Sequence, residues 1–156
     1  MPHQRPGWEL PNGHIVRSQS EAALCEYLGS LNVAHDHWAL NFDLHATPVE
    51  WRLFTPSITL SDLKCDDRIV IVELINSIQI GGGMRRLQSF RKRFSREYFV
   101  IVVTRRALHH RIPEDAYDAI FHLEDFDGLG EYLREHGKPD TPPETDQPPP
   151  DTAESG

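Results

Sequence analysis

The chain has 156 residues, 38% of them apolar and 26% charged, with a net charge of −8. That length suffices for one domain with a closed hydrophobic core, and the composition is ordinary for a globular protein in water. No apolar run approaches the roughly 18 residues of a transmembrane helix, and the opening "MPHQRPGWELPNGH" lacks the apolar stretch of a secretory signal.

Taken in chain order, residues 1–14 carry Pro2, Pro6, Gly7, Pro11 and Gly13 and predict an irregular lead-in. The folded domain is expected to run from 15 to 137. "SQSEAALCEYLGSL" (18–31) sets Leu24, Tyr27, Leu28 and Leu31 at helical spacing. "HWALNFDL" (37–44) places Trp38, Leu40, Phe42 and Leu44 at period two, a strand pattern repeated in 49–54 after the turn "HATP" and continued briefly in 57–60. "RIVIVELI" (68–75) and "YFVIVVT" (98–104) are apolar on both faces, as central strands covered on both sides are. Between them, Met84, Leu87, Phe90 and Phe94 form the buried stripe of a helix over 84–95. A short edge element at 117–123 and an amphipathic helix ending at Gly137 close the domain. The tail 138–156 has six prolines and five acids, and so little to bury that disorder is expected.

Strand–helix–strand over 68–104 requires a parallel crossover, whereas the strands before it can pair antiparallel. The expected architecture is an α/β sandwich, a mixed central sheet flanked by helices. Cys25 and Cys65, with no CxxC partner, fit a reducing, cytoplasmic setting. Charge is unevenly spread. The tail accounts for −4 of the total, while "MRRLQSFRKRFSR" (84–96) has six bases and no acid. On that helix Arg85, Ser89, Lys92 and Arg96 share one stripe, with Arg86 and Arg93 beside it. Such a face can neutralise phosphates without reading sequence, and Arg105, Arg106 and Arg111 could extend it. The competing reading is a solvated face paired with acids elsewhere on the chain.

The element order, with Glu21 in "RSQSEAALCEYL", "TPSITL" on one strand and "IVIVELIN" on the next, resembles the PD-(D/E)XK nuclease superfamily. The resemblance implies a restriction-endonuclease-like fold and covers roughly 17–104. It further implies Mg²⁺-assisted phosphodiester hydrolysis by two acidic groups and a lysine. Glu73 falls on the acidic position of the second strand. Ser57 stands where the family has aspartate, and Ile75 where it has lysine. A hydroxyl is a poor Mg²⁺ ligand, and isoleucine has no proton to exchange. Relocated groups are the remaining route to activity: Asp62 or Asp43 as a second carboxylate beside Glu73, Lys92 as the cation, and Gln88, which recurs in some nuclease branches.

Each candidate has a structural counterpart. Ser18-x-x-Glu21 is also a capping box. Glu73 could be a strand-end acid paired with Arg86. His35 and His37 alternate on a strand, and HxH can ligate metal, but no third ligand with compatible spacing is evident, so solvent-facing histidines are expected. His109 and His110 are expected in a loop. Gly81–Gly83 lacks the phosphate-loop pattern and reads as a connector.

The resulting expectation is a nuclease-fold protein with a degraded catalytic site that binds nucleic acid or a protein partner through Arg85, Arg86, Lys92, Arg93 and Arg96. The first alternative is an active Mg²⁺-dependent endonuclease using Glu21, Glu73, Asp62, Lys92 and Gln88. The second is a non-catalytic scaffold subunit. DNA, RNA, a partner protein and a second copy of the chain stay open as partners; a membrane is not expected.

Overall fold

Valine and isoleucine alternate along the two most apolar segments so that each buries both faces, and the architecture follows from that. A computed structural model describes residues 7–45, 52–77 and 83–140. Its centre is a mixed six-stranded sheet in the order β10-β6-β7-β8-β9, with β3 also paired to β6. The elements of this sheet are β3 (His35–His37), β6 (Ile58–Cys65), β7 (Arg68–Ile75), β8 (Tyr98–Thr104), β9 (Ala119–His122) and β10 (Gly137–Pro139). Two further two-stranded ribbons pair β1 (Trp8–Glu9) with β2 (Ile15–Val16), and β4 (Phe42–Asp43) with β5 (Leu53–Phe54). The helices are α1 (Gln19–Ser30), α2 (Gly83–Phe94) and α3 (Asp127–His136).

β7, β8 and β9 run parallel, while β3, β7 and β10 all pair antiparallel to β6. Successive strand residues point to opposite faces, and the core divides accordingly. Val70, Val72, Phe99, Ile101 and Val103 pack with Leu24 and Leu28 of α1 and with Leu129 and Leu133 of α3. Ile71, Val100 and Val102 pack with Leu87 and Phe90 of α2 and with Phe54. Phe90 lies at the centre of an aromatic group, its ring centroid 4.7 Å from those of both Phe42 and Phe54.

The crossover β7–α2–β8 matches the sequence-based expectation closely. Four differences have physical causes. The lead-in is ordered from Gly7 onward, because Trp8–Glu9 finds a partner in Ile15–Val16. The strand expected over 37–44 breaks after His37, because Trp38 adopts a left-handed φ of 54°. β6 extends to Cys65 through an irregularity between Thr59 and Lys64. The chain after α3 does not stop at Gly137 but adds β10 to the free edge of β6. Residues 49–51, Gly81, Gly82 and the tail from 141 lie outside the described residues.

Because Phe90 is fully buried and unites α2 with the ribbon β4–β5, Phe90→Ala should cost about 3–5 kcal/mol. Urea unfolding of the variant against the parent checks this; a loss below about 1 kcal/mol would mean the aromatic group is not part of the cooperative core.

Candidate functional site

Glu73 enters the carboxyl-terminal half of β7 on the same face as Ile71, towards α2. Directly across the sheet, Ile58 pairs with Val72, which sets Ser57 beside Glu73. The Ser57 hydroxyl donates to Glu73 Oε1 at 2.8 Å. Glu73 Oε2 is shielded from solvent and has no hydrogen-bond partner among the described residues. Desolvation dominates this environment and pushes the carboxyl up from 4.5 to about 7. The Ser57 hydrogen bonds and the charge of Arg86 act in the opposite direction, and Glu21 adds to the rise. Ile75, two residues on, is half-buried and packs against the apolar layer under α2.

Glu21 is only 1% exposed and lies on the opposite side of the sheet, with α1. Ser18 caps that helix by accepting from the Glu21 backbone N–H at 3.0 Å. The Glu21 side chain does not return to Ser18 but accepts from the Arg17 backbone N–H at 3.1 Å. Its two oxygens also take the Trp38 Nε1–H at 3.2 and 3.0 Å, and Oε2 lies 2.6 Å from His37 Nδ1. The helix thus has half of a capping box, and its glutamate is committed to the turn after β3.

Behind Glu21, four side chains converge: His14, Cys25, His35 and His37, with potential ligand atoms all within 4.8 Å of one another. Cys25 Sγ is 3.3 Å from His14 Nδ1, 3.2 Å from His35 Nε2 and 3.3 Å from His37 Nε2. Asn12 Nδ2 reaches the same sulfur at 3.5 Å. Burial raises the Cys25 thiol above its ordinary value. The expectation of solvent-facing histidines is corrected here. β3 is an edge strand, but α1 covers the face that His35 and His37 share, so His35 is buried and the His37 side chain is 5% exposed. No local motif carries this set, because its members are separated by ten, nine and one intervening residues. The available signal was HxH together with an upstream cysteine and histidine.

The other candidates are dispersed. Asp62 is exposed on β6, five residues beyond Ser57, which at about 3.3 Å per residue places it about 17 Å along the strand. Asp43 pairs with Arg52 on the ribbon β4–β5 at 2.8 Å, which lowers its carboxyl to about 2. Gln88 donates to Asp115, and Arg91 pairs with Asp118 at 3.0 Å. Arg93 donates to the Leu44 carbonyl. Arg85 and Lys92 are exposed on α2, whereas Arg96, expected on the same stripe, is exposed in the turn beyond the end of the helix at Phe94. Lys92 sits two helical turns from the first turn of α2, where Arg85 and Arg86 lie near the carboxyl end of β7. His109 is in a 3₁₀ turn with Nδ1 2.8 Å from His122 Nε2.

Beyond that carboxyl end opens a groove of about 610 Å³, lined by Trp8, Arg17, Ser18, Gln19, Ser20, Asn76 and Arg105. Ser20 donates to Asn76 at 3.0 Å, joining α1 to the end of β7. The Arg17 guanidinium lies 4.4 Å from the Trp38 ring centroid. Trp8 is 38% exposed. The groove therefore offers two cations, hydroxyls and an accessible aromatic face. Trp8 and Arg17 come from segments outside the helix on which the sequence reading concentrated.

The raised Glu73 carboxyl makes a pH prediction. The folded state holds its proton more tightly than the unfolded state, so this group favours folding fully below about pH 4.5 and progressively less as pH rises to 7. The span corresponds to about 3 kcal/mol. In urea unfolding, Glu73→Gln should flatten the decline between pH 5 and 8 by up to that amount. Parallel pH profiles for parent and variant would refute it. In comparisons with known proteins, no family model, curated protein or solved structure matched this chain.

Proposed function

We propose that this chain is a restriction-endonuclease-like binding module that holds nucleic acid without hydrolysing it. The observation carrying this reading is the groove at the carboxyl ends of β7 and β8, where Arg17 and Arg105 stand with Ser18, Ser20 and the exposed Trp8. Crevices outside the carboxyl ends of parallel strands are the ordinary binding position of open α/β sheets. Paired guanidinium groups suit phosphate oxygens, and an accessible indole can stack on a base. The exposed cations Arg85 and Lys92 on α2, with Arg96 in the turn after it, supply a longer-range attraction.

The absence of hydrolysis is argued from Glu21 and Glu73. A divalent hard cation needs ionised oxygen ligands facing a common point. Glu21 spends its lone pairs on Arg17, Trp38 and His37, and Glu73 shares its strand end with a hydroxyl and an isoleucine.

Fluorescence anisotropy with labelled single- and double-stranded DNA and RNA tests the proposal. Binding should weaken steeply with salt, and Arg105→Glu should reduce affinity about tenfold and lower the salt slope by about 1. Trp8→Ala should weaken single-stranded binding by about 1–3 kcal/mol. With Mg²⁺ or Mn²⁺ added, the nucleic acid should stay intact. Metal-dependent cutting that disappears in Glu73→Ala would overturn this reading in favour of an active nuclease. Binding insensitive to both salt and Arg105→Glu would overturn it in favour of a scaffold role.

A further inference from the structure

We propose that Cys25, His14, His35 and His37 form a closed, four-coordinate site for a divalent transition metal, with zinc as the ion. This stands independently of the nucleic-acid reading.

The Val33 carbonyl can only accept, so His35 Nδ1, 2.9 Å away, carries the hydrogen. The Glu21 carboxylate already accepts from two N–H groups, so His37 Nδ1 also donates. In their neutral forms both rings therefore turn an unprotonated Nε2 towards Cys25 Sγ, at 3.2 and 3.3 Å. His14 Nδ1 faces the same sulfur at 3.3 Å. A thiol has one proton and can satisfy one of these nitrogens. The cluster thus has a surplus of electron pairs directed at one point, which a Lewis acid can accept.

The geometry is close to what such an ion requires. With bonds of about 2.0–2.1 Å to nitrogen and about 2.3 Å to sulfur, tetrahedral zinc separates the two donor types by about 3.6 Å. The sulfur–nitrogen contacts need to open by about 0.3–0.4 Å, and the ligand atoms, all within 4.8 Å of one another, to draw in around the ion. One thiolate with three imidazoles suits zinc and excludes Mg²⁺, which takes oxygen donors. The groups around the ligands are those that orient metal-binding histidines: a carboxylate behind His37, a backbone carbonyl behind His35, and the Asn12 amide donating to the sulfur.

Four protein ligands leave no open position, so the site is structural. The ligands come from the segment before β2, from α1 and from β3. The ion would fasten the β1–β2 ribbon and the edge strand to the helix. Neither ribbon strand exceeds two residues, too little to be stable alone, so metal binding here is coupled to folding.

The test uses the full chain purified without chelator. Elemental analysis should give about one zinc per chain. Exchange with Co²⁺ should give the strong visible absorption of a tetrahedral site and a thiolate-to-cobalt band. Cys25→Ser should abolish that band, while Cys65→Ser, altering the buried cysteine outside the cluster, should leave it. Should Cys25→Ser not fold, the parent chain still decides: Tm should fall on chelation and recover with zinc. A folded parent chain without stoichiometric zinc, whose Tm is unmoved by chelator or added zinc, would overturn the assignment. So would stoichiometric copper or iron in zinc's place, or a cobalt band that survives Cys25→Ser.

Discussion

The burial of the Glu21 carboxyl group is the constraint on which the α1 side of the molecule depends. A carboxylate that is 1% exposed is tolerable only where donors replace its water. It obtains them from the Arg17 backbone, the Trp38 indole and the His37 ring. Each donor fixes a different segment. The Trp38 contact is the most consequential, because that residue has φ 54°, a strained conformation for a bulky side chain that persists only when its surroundings determine it. Here the indole is held by Glu21 on its edge and Arg17 on its face. The Trp38 backbone N–H then donates to the Ser57 carbonyl at 3.1 Å, and the Ser57 hydroxyl donates to Glu73. One continuous run of contacts therefore leads from Glu21 on one face of the sheet to Glu73 on the other.

The two carboxyl groups at its ends are supplied with donors differently. Glu21 has donors on both of its oxygens. Glu73 has Ser57 and an unpartnered oxygen, so its proton is retained to about pH 7. Burial alone does not decide a carboxylate's state; the supply of donors does. This also separates two kinds of cation chemistry in the fold. Oxygen-rich sites for hard ions need several ionised carboxylates free to face one point; Asp43 is paired with Arg52, Asp62 is exposed on β6, and both Glu21 oxygens are taken by donors. Nitrogen and sulfur donors are gathered instead at Cys25.

The central elements were legible because their signals are local. β7 and β8 declare themselves through apolar residues on both faces, and α2 through its stripe of Leu87, Phe90 and Phe94. What escaped were pairings between distant segments. The β1–β2 ribbon and β10 are two or three residues long and exist only through their partners. The break after His37 comes from the φ of Trp38, which residue type does not announce. The same distance hid the cluster: His14 lay in an apparent lead-in, and Cys25 looked like an ordinary helix-core thiol. The charges of α2 were visible as charges, but Asp115 and Asp118, which engage Gln88 and Arg91, lie more than twenty residues downstream.

The cluster and the groove are joined through α1. The first turn of that helix provides Ser20 to the groove, the same turn provides Glu21, and the next provides Cys25. Over so few residues a helix transmits position almost rigidly, at 1.5 Å and about 100° per residue. Any displacement of Cys25 relative to His35 and His37 must therefore move the Ser20–Asn76 hydrogen bond at the groove wall. Arg17 precedes the Ser18 cap and is held by Glu21 through its backbone. The placement of one groove cation is thus set by the carboxylate that orients His37. A structural ion on one side of α1 and an anion-binding surface at its amino end would be two uses of one helix position, with Glu21 as the residue that keeps them in register.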